Sequence, residues 1–145
     1  MAAAVADTSF LFSLFGNDAH TPAAKNWVQQ AQLPITVTAL GRYELGNAIR
    51  FAAFRKAISP ADARASLAAV EADLKSGHLQ PASCDLAAIV TEAARLSELH
   101  TVSGGHRSFD ILHVATARLL KATTFLSFDA NQRRLATTLR LNIGP

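Results

Sequence analysis

The hydrophobic positions change period several times along the chain, and each change marks an element. Ala2–Ala6 is a short apolar run that predicts a buried strand. Asp7, Thr8 and Ser9 then offer capping side chains ahead of a helix over Phe10–Phe15, which Gly16 and Asn17 stop. Behind Pro22, Ala23–Ala31 reads as a helix, and the β-branched run Leu33–Thr38 reads as a strand. In a long helix over Leu40–Ala57, Leu45, Ala48, Ile49, Ala52 and Ala53 form one stripe, with Arg42, Arg50 and Arg55 off it. Ser59 and Pro60 open the next helix, which continues to about Lys75. After Gly77, His78–Cys84 predicts a short strand, and Pro81 makes it an edge or irregular one. Asp85 caps a helix to about Thr101, and Gly104 with Gly105 ends that region. Ser108 is placed to cap a helix through Leu120, and Thr123–Phe128 is the clearest strand. Asp129 and Gln132 have capping-box spacing for a last helix, and Leu139–Ile143 reads as a terminal strand.

Strands alternating with helices predict an α/β fold, with a central, mostly parallel sheet flanked by helices. At 145 residues the chain has the size of one domain, spanning 1–145. With 50% hydrophobic and only 17% charged residues, it is composed to bury a core, which excludes intrinsic disorder. Cys84 is the only cysteine, so an internal disulfide is impossible and a reducing, cytoplasmic setting is expected. The apolar opening lacks a basic leader and carries Asp7, so it reads as mature sequence, and no stretch is long enough to span a membrane. A net charge of +3 leans only slightly toward a phosphate-bearing partner.

The sheet topology directs the search for chemistry. In a parallel sheet the carboxyl ends of all strands open onto one edge, where such folds bind ligands. Asp7 and Asp129 directly follow predicted strands, and Glu44 lies early in the helix after the second. Asp110 begins a helix that leads back to the start of Thr123–Phe128, which puts that beginning over the same edge. Taken singly, each acid has a purely structural reading: Asp7 and Asp129 as N-caps, Asp110 as a first-turn acid, Glu44 as an exposed helix residue. Together they repel one another unless a cation sits among them. An oxygen-only set points to a hard ion, Mg²⁺ or Mn²⁺, and to phosphodiester hydrolysis by metal-activated water. The sequence contains no P-loop, GxSxG, CxxC or HExxH pattern.

These segments resemble a known family. The first strand with DTSFL is similar to the opening motif of the PIN-domain ribonucleases, and within them of the VapC-type toxins of toxin–antitoxin pairs. YELGNAIR resembles the second motif, and SFDILHVATARLLKATTFLSFDANQRRLA the third and fourth laid end to end. The resemblance implies a three-layer PIN-like fold and a Mg²⁺- or Mn²⁺-dependent endoribonuclease. In it Asp7, Glu44, Asp110 and Asp129 are the catalytic, metal-binding residues, and Ser9 helps to position Asp7. It also implies a cytoplasmic homodimer that cuts RNA and is inhibited by a cognate antitoxin laid over the active site. The Ala-rich first strand departs from the larger β-branched residues usual in the family.

Other residues have two readings. Asn131 is weighed as an assistant near the metal against a solvated first-turn residue, and His113, one turn after Asp110, as a residue approaching the metal against the favoured reading, a packed core residue with a backbone partner. Arg42, Arg50, Arg107, Arg133 and Arg134 are either phosphate contacts or solvated charges. Phe51 and Phe54 read as core, the alternative being an exposed strip for a dimer or antitoxin. The competing function is a catalytically silent PIN-like scaffold that binds RNA or protein. A phosphoryl-transfer or receiver domain is disfavoured because Thr8 and Ser9 follow Asp7 where an Asp-x-Asp motif would be needed.

Overall fold

Ala4 and Ala6 point into one hydrophobic core and Val5 into another, because successive strand residues face opposite sides of a sheet. The computed structural model that reveals this describes residues 4–145. Its elements begin with β1 (Ala4–Ala6), α1 (Thr8–Phe15), α2 (Thr21–Ala31), β2 (Ile35–Val37), α3 (Ala39–Phe54) and α4 (Pro60–Ser76). They continue with β3 (Leu79–Pro81), α5 (Leu86–Gly104), α6 (Ser108–Leu119), β4 (Thr124–Leu126), α7 (Ala130–Thr138) and β5 (Asn142–Gly144). The strands form one sheet in the order β3-β2-β1-β4-β5, with every pairing parallel. Parallel neighbours need long crossovers, and the helices supply them.

Those crossovers build three layers. Phe10 and Leu11 of α1, Ala24 of α2, Leu45 and Ile49 of α3, and Val70 of α4 pack on the face that carries Ala4, Ala6, Ile35 and Leu126. Ile89 and Leu96 of α5, Val114 of α6 and Leu135 of α7 cover the face that carries Val5 and Phe125. A central strand enclosed by helices on both faces needs no polar alternation. The alanines of β1 fit this position because their small side chains let the layer of α1, α2, α3 and α4 sit close, while Val5 faces the other layer. Ala2 and Ala3 of the expected first strand lie outside the described residues.

Several boundaries move for local reasons. α1 begins at Thr8 instead of Phe10, because Asp7 adopts extended backbone and caps it. α5 runs on to Gly104, and Gly105, at φ 67°, closes it with its N–H on the Thr101 carbonyl at 2.7 Å. The last strand shifts from Leu139–Ile143 to Asn142–Gly144, after Arg140 turns the chain at φ 63°. Ser108 is the first residue of α6 and does not cap it; Arg107 holds the cap position without a side-chain bond. Phe51 and Phe54 are 52% and 78% exposed, because they lie off the buried Leu45, Ile49 and Ala52 stripe of α3. They stack on each other, and Arg55 covers the Phe51 ring. β3 takes the edge, as Pro81 allowed. Among the described residues, no helix is long and apolar enough to cross a membrane.

Candidate metal centre

Strand order reverses about β1, whose neighbours are β2 on one side and β4 on the other. The crevice beyond the carboxyl ends of strands at such a reversal is where open α/β sheets bind ligands. The chain fills it with polar residues. Asp7 leaves β1 there, its N–H donating to the Leu126 carbonyl of β4 at 2.9 Å.

Asp7 is fully buried. Its Oδ1 accepts the Phe10 N–H at 2.9 Å, the N-cap bond of α1. The Ser9 hydroxyl is shared between its two oxygens at 2.7 and 2.9 Å, and the Ser127 hydroxyl donates to Oδ2 at 2.5 Å. Burial pushes the Asp7 carboxyl above the usual carboxylate range, although the Ser127, Phe10 and Ser9 bonds and the nearby His113 pull it back down. Both serines also accept backbone N–H groups just after β4: Ser9 Oγ from Phe128 and Ser127 Oγ from Asp129, each at 3.0 Å. The start of α1 is thereby tied to the start of α7.

Asp129 caps α7 by accepting the Gln132 N–H at 2.8 Å. The expected capping box is only half made. Gln132 is buried and turns its side chain outward from the cap, donating from Nε2 to Asp110 Oδ1 at 3.2 Å. Asp110, in the first turn of α6, also pairs with exposed Arg107 at 3.2 Å. A hydrogen-bonded chain thus runs from Asp7 through Ser127, Asp129 and Gln132 to Asp110.

Glu44 belongs to a second, adjoining set. Its Oε2 accepts from His113 Nε2 at 2.7 Å, and Thr8 Oγ1 lies 3.4 Å from the same nitrogen. Burial of Glu44 alone would raise its carboxyl, but the His113 hydrogen bond and charge, with Thr8, outweigh it and hold the group below its ordinary value. His113 is therefore buried against a site carboxylate and not against a backbone partner. It reaches Glu44 because α6 and α3 flank opposite faces of the sheet and meet over this edge. The periodicity of DILHVATA signalled burial of His113 but could not name its partner.

Ser127 and Gln132 escaped the sequence reading. A serine closing a strand and a glutamine at capping-box spacing both have ordinary structural explanations; only the pairing of β1 with β4 exposes their second role. Asn131 donates to the Gly105 carbonyl at 3.2 Å and accepts from Arg134, joining α7 to the turn before α6. Arg133 donates to the Ser127 carbonyl at 2.8 Å and the Pro145 carbonyl at 3.0 Å, whereas Arg42 pairs with Glu71.

The fit of this site to a hard cation rests on its donors. Four carboxylates on one edge, with no thiolate beside them, match the oxygen preference of Mg²⁺ or Mn²⁺. Gln132 Oε1 is buried with no hydrogen-bond partner, next to Asp110, where water held by a cation would be a donor. The side chains as placed satisfy one another instead. Among the described residues, no three His, Cys, Asp or Glu side chains form a group that could hold a metal.

The fold has relatives among solved structures. VapC20 of Mycobacterium tuberculosis, described as a toxin that cleaves the sarcin-ricin loop, is similar with TM-score 0.69 and 18% identity over 99% of this chain and 100% of that one. PAE2754 of Pyrobaculum aerophilum is similar with TM-score 0.62 and 19% identity, over 98% and 83% of the two chains. VapBC2 of Rickettsia felis, bound to a promoter DNA fragment, gives TM-score 0.65 and 13% identity over 97% and 96%. No curated protein matches in sequence. The PIN domain family model matches residues 4–137, nearly the whole chain, and with the sheet order and the polar crevice at β1 and β4 this shows that the chain belongs to the PIN-domain family.

Proposed function

We propose that this protein is a Mg²⁺- or Mn²⁺-dependent endoribonuclease, the toxin of a type II toxin–antitoxin pair. The observation that carries the reading is the hydrogen-bonded run from Asp7 through Ser127 and Asp129 to Asp110, at the strand reversal of a PIN domain. The similarity to VapC20 and to a VapBC complex supports a toxin of this class and a cognate antitoxin partner. RNA as substrate, a homodimeric state and a cytoplasmic location belong to the same proposal.

In this reading Asp7, Glu44, Asp110 and Asp129 hold the cation. A bound divalent ion supplies an acidified water near neutral pH and charge compensation on the leaving oxygen. The protein's own residues do the rest. Ser9 and Ser127 orient both oxygens of Asp7 and stabilise its ionised form against burial. His113 fixes Glu44 on α3 and keeps it ionised. Gln132 orients Asp110, and Asn131 supports the site by fixing the turn that precedes α6.

Purified protein is incubated with RNA and Mg²⁺ beside the Asp7→Asn variant. Cleavage by the parent alone is expected; equal cleavage by both would refute the reading. The pairing of Glu44 with His113 and of Asp110 with Arg107 favours a second reading, a silent scaffold that binds RNA or protein through the same fold. A scaffold would bind RNA without cutting it at any Mg²⁺ or Mn²⁺ concentration.

A further inference from the structure

Phe128 stands between Ser127 and Asp129, so its ring is fixed by the same bonds that fix the acids; its N–H donates to Ser9 Oγ at 3.0 Å. That ring belongs to a graded series. Fully buried Phe10 stacks on Phe128 at 5.7 Å and 19° from parallel, with Trp27 edge-on to Phe10 at 6.1 Å. Exposed His20 stacks on Phe128 at 4.4 Å and 15° from parallel. Three near-parallel rings thus lead from the core to the surface beside the acidic crevice.

The outermost ring packs on Phe128 and is itself exposed. His20 occupies the cap position of α2, yet its side chain makes no capping bond. Its backbone is held from both sides, the N–H on Asp18 Oδ1 at 2.9 Å and the carbonyl accepting the Ala24 N–H at 3.0 Å. A polar ring kept flat on a phenylalanine by a rigid backbone presents a preorganised aromatic surface. Phe128 also lines a cleft with Arg133 and Arg134, whose guanidinium groups bond to the Ser127 and Pro145 carbonyls and to Asn131. An exposed aromatic ring held flat suits single-stranded nucleic acid, whose bases stack on such faces.

We propose that His20, backed by Phe128, is the stacking platform for an unpaired RNA base next to the phosphodiester offered to the acids. The proposal rests on the ribonuclease reading and adds a subsite to it. It assigns His20 a ligand-binding role beyond its packing on Phe128, and it makes Phe128 the link between base recognition and the Asp7 and Asp129 carboxylates.

The test uses single-stranded RNA oligonucleotides carrying one 2-aminopurine, walked along the sequence, in chelator-containing buffer that prevents cleavage. The parent should quench the fluorophore at one position, and His20→Ala should lose that quenching and bind about tenfold more weakly, the size expected for one stacked base. His20→Phe should restore both, since it keeps the ring and drops the polar atoms. With an abasic site at the responsive position, the parent and His20→Ala should bind alike. If the parent cleaves RNA with Mg²⁺ while His20→Ala binds every oligonucleotide as the parent does, the platform is wrong and the ribonuclease reading survives. If the parent neither binds nor cleaves RNA, both fall together.

Discussion

Ser127, 120 residues beyond Asp7 in sequence, donates a 2.5 Å hydrogen bond to its Oδ2 where β4 lies beside β1. The same hydroxyl accepts the Asp129 N–H. One small side chain therefore supports two of the four acids, and its loss should be felt at both.

Ser127→Ala leaves a buried carboxylate oxygen short of a donor and a backbone N–H short of an acceptor. A buried group left unpaired costs about 1–3 kcal/mol. Thermal unfolding should show a fall of about 2–4 °C for each kcal/mol in a chain of this size. An unchanged melting temperature would mean that the hydroxyl is dispensable.

Asp7→Asn should have the opposite effect on stability. Burial raises the Asp7 carboxyl in the folded state, so the native protein binds more protons than the unfolded chain as this group titrates. Its contribution therefore falls as pH rises through the folded pKa, and at neutral pH the ionised group is a burden that a neutral amide removes. The variant should melt higher than the parent at pH 7, with the gap closing as pH falls from the raised folded value to the ordinary aspartate value of 3.8. A gap that widens in acid would reverse the assignment. Stability gained with activity lost is the signature of a group kept for chemistry.

The fold was legible because the burial pattern is strong. The β-branched run of β2 and the TTFLSF segment bracket β1 on its two sides, and Pro81 marked the edge strand. The positions of Asp7 and Asp129 followed from the strands they leave. What stayed hidden depended on contacts between distant segments. Nothing within DILHVATA states that His113 would face Glu44, 69 residues earlier, and the Gln132 side chain could be assigned to its cap until Asp110 was seen beside it. Phe51 and Phe54 misled because a pair of phenylalanines in an apolar helix resembles core, whereas the buried stripe of α3 passes to one side of them.

His113→Ala should raise the Glu44 carboxyl, because burial would then be opposed only by Thr8. In the parent, the lowered Glu44 value adds stability above the unfolded pKa that is lost as pH falls through the folded one. The variant should lack this acid-side loss, seen in unfolding curves as pH falls below the ordinary glutamate value of 4.5. His113→Gln, which can still offer an N–H, should recover part of it. Identical pH profiles for parent and alanine variant would remove His113 from the site.

Arg42 and Glu71 provide a contrast. Their ion pair links α3 to α4, but both side chains are about half exposed (52% each). Exposed pairs are worth roughly 0–1 kcal/mol. Arg42→Ala should therefore shift the melting temperature by no more than a few degrees. A large loss would show that the arginine stem supports the α3–α4 packing beyond its charge.

On the proposed reading, four carboxylates from four separate segments share one divalent cation. Titration of the purified protein with Mn²⁺, followed by electron paramagnetic resonance of the free ion, measures this without reference to any RNA. Saturable binding by the parent, weakened at least about tenfold in Asp110→Asn, which removes one charged oxygen ligand, is the predicted result. Equal Mn²⁺ uptake by parent and variant, or none by either, would contradict it.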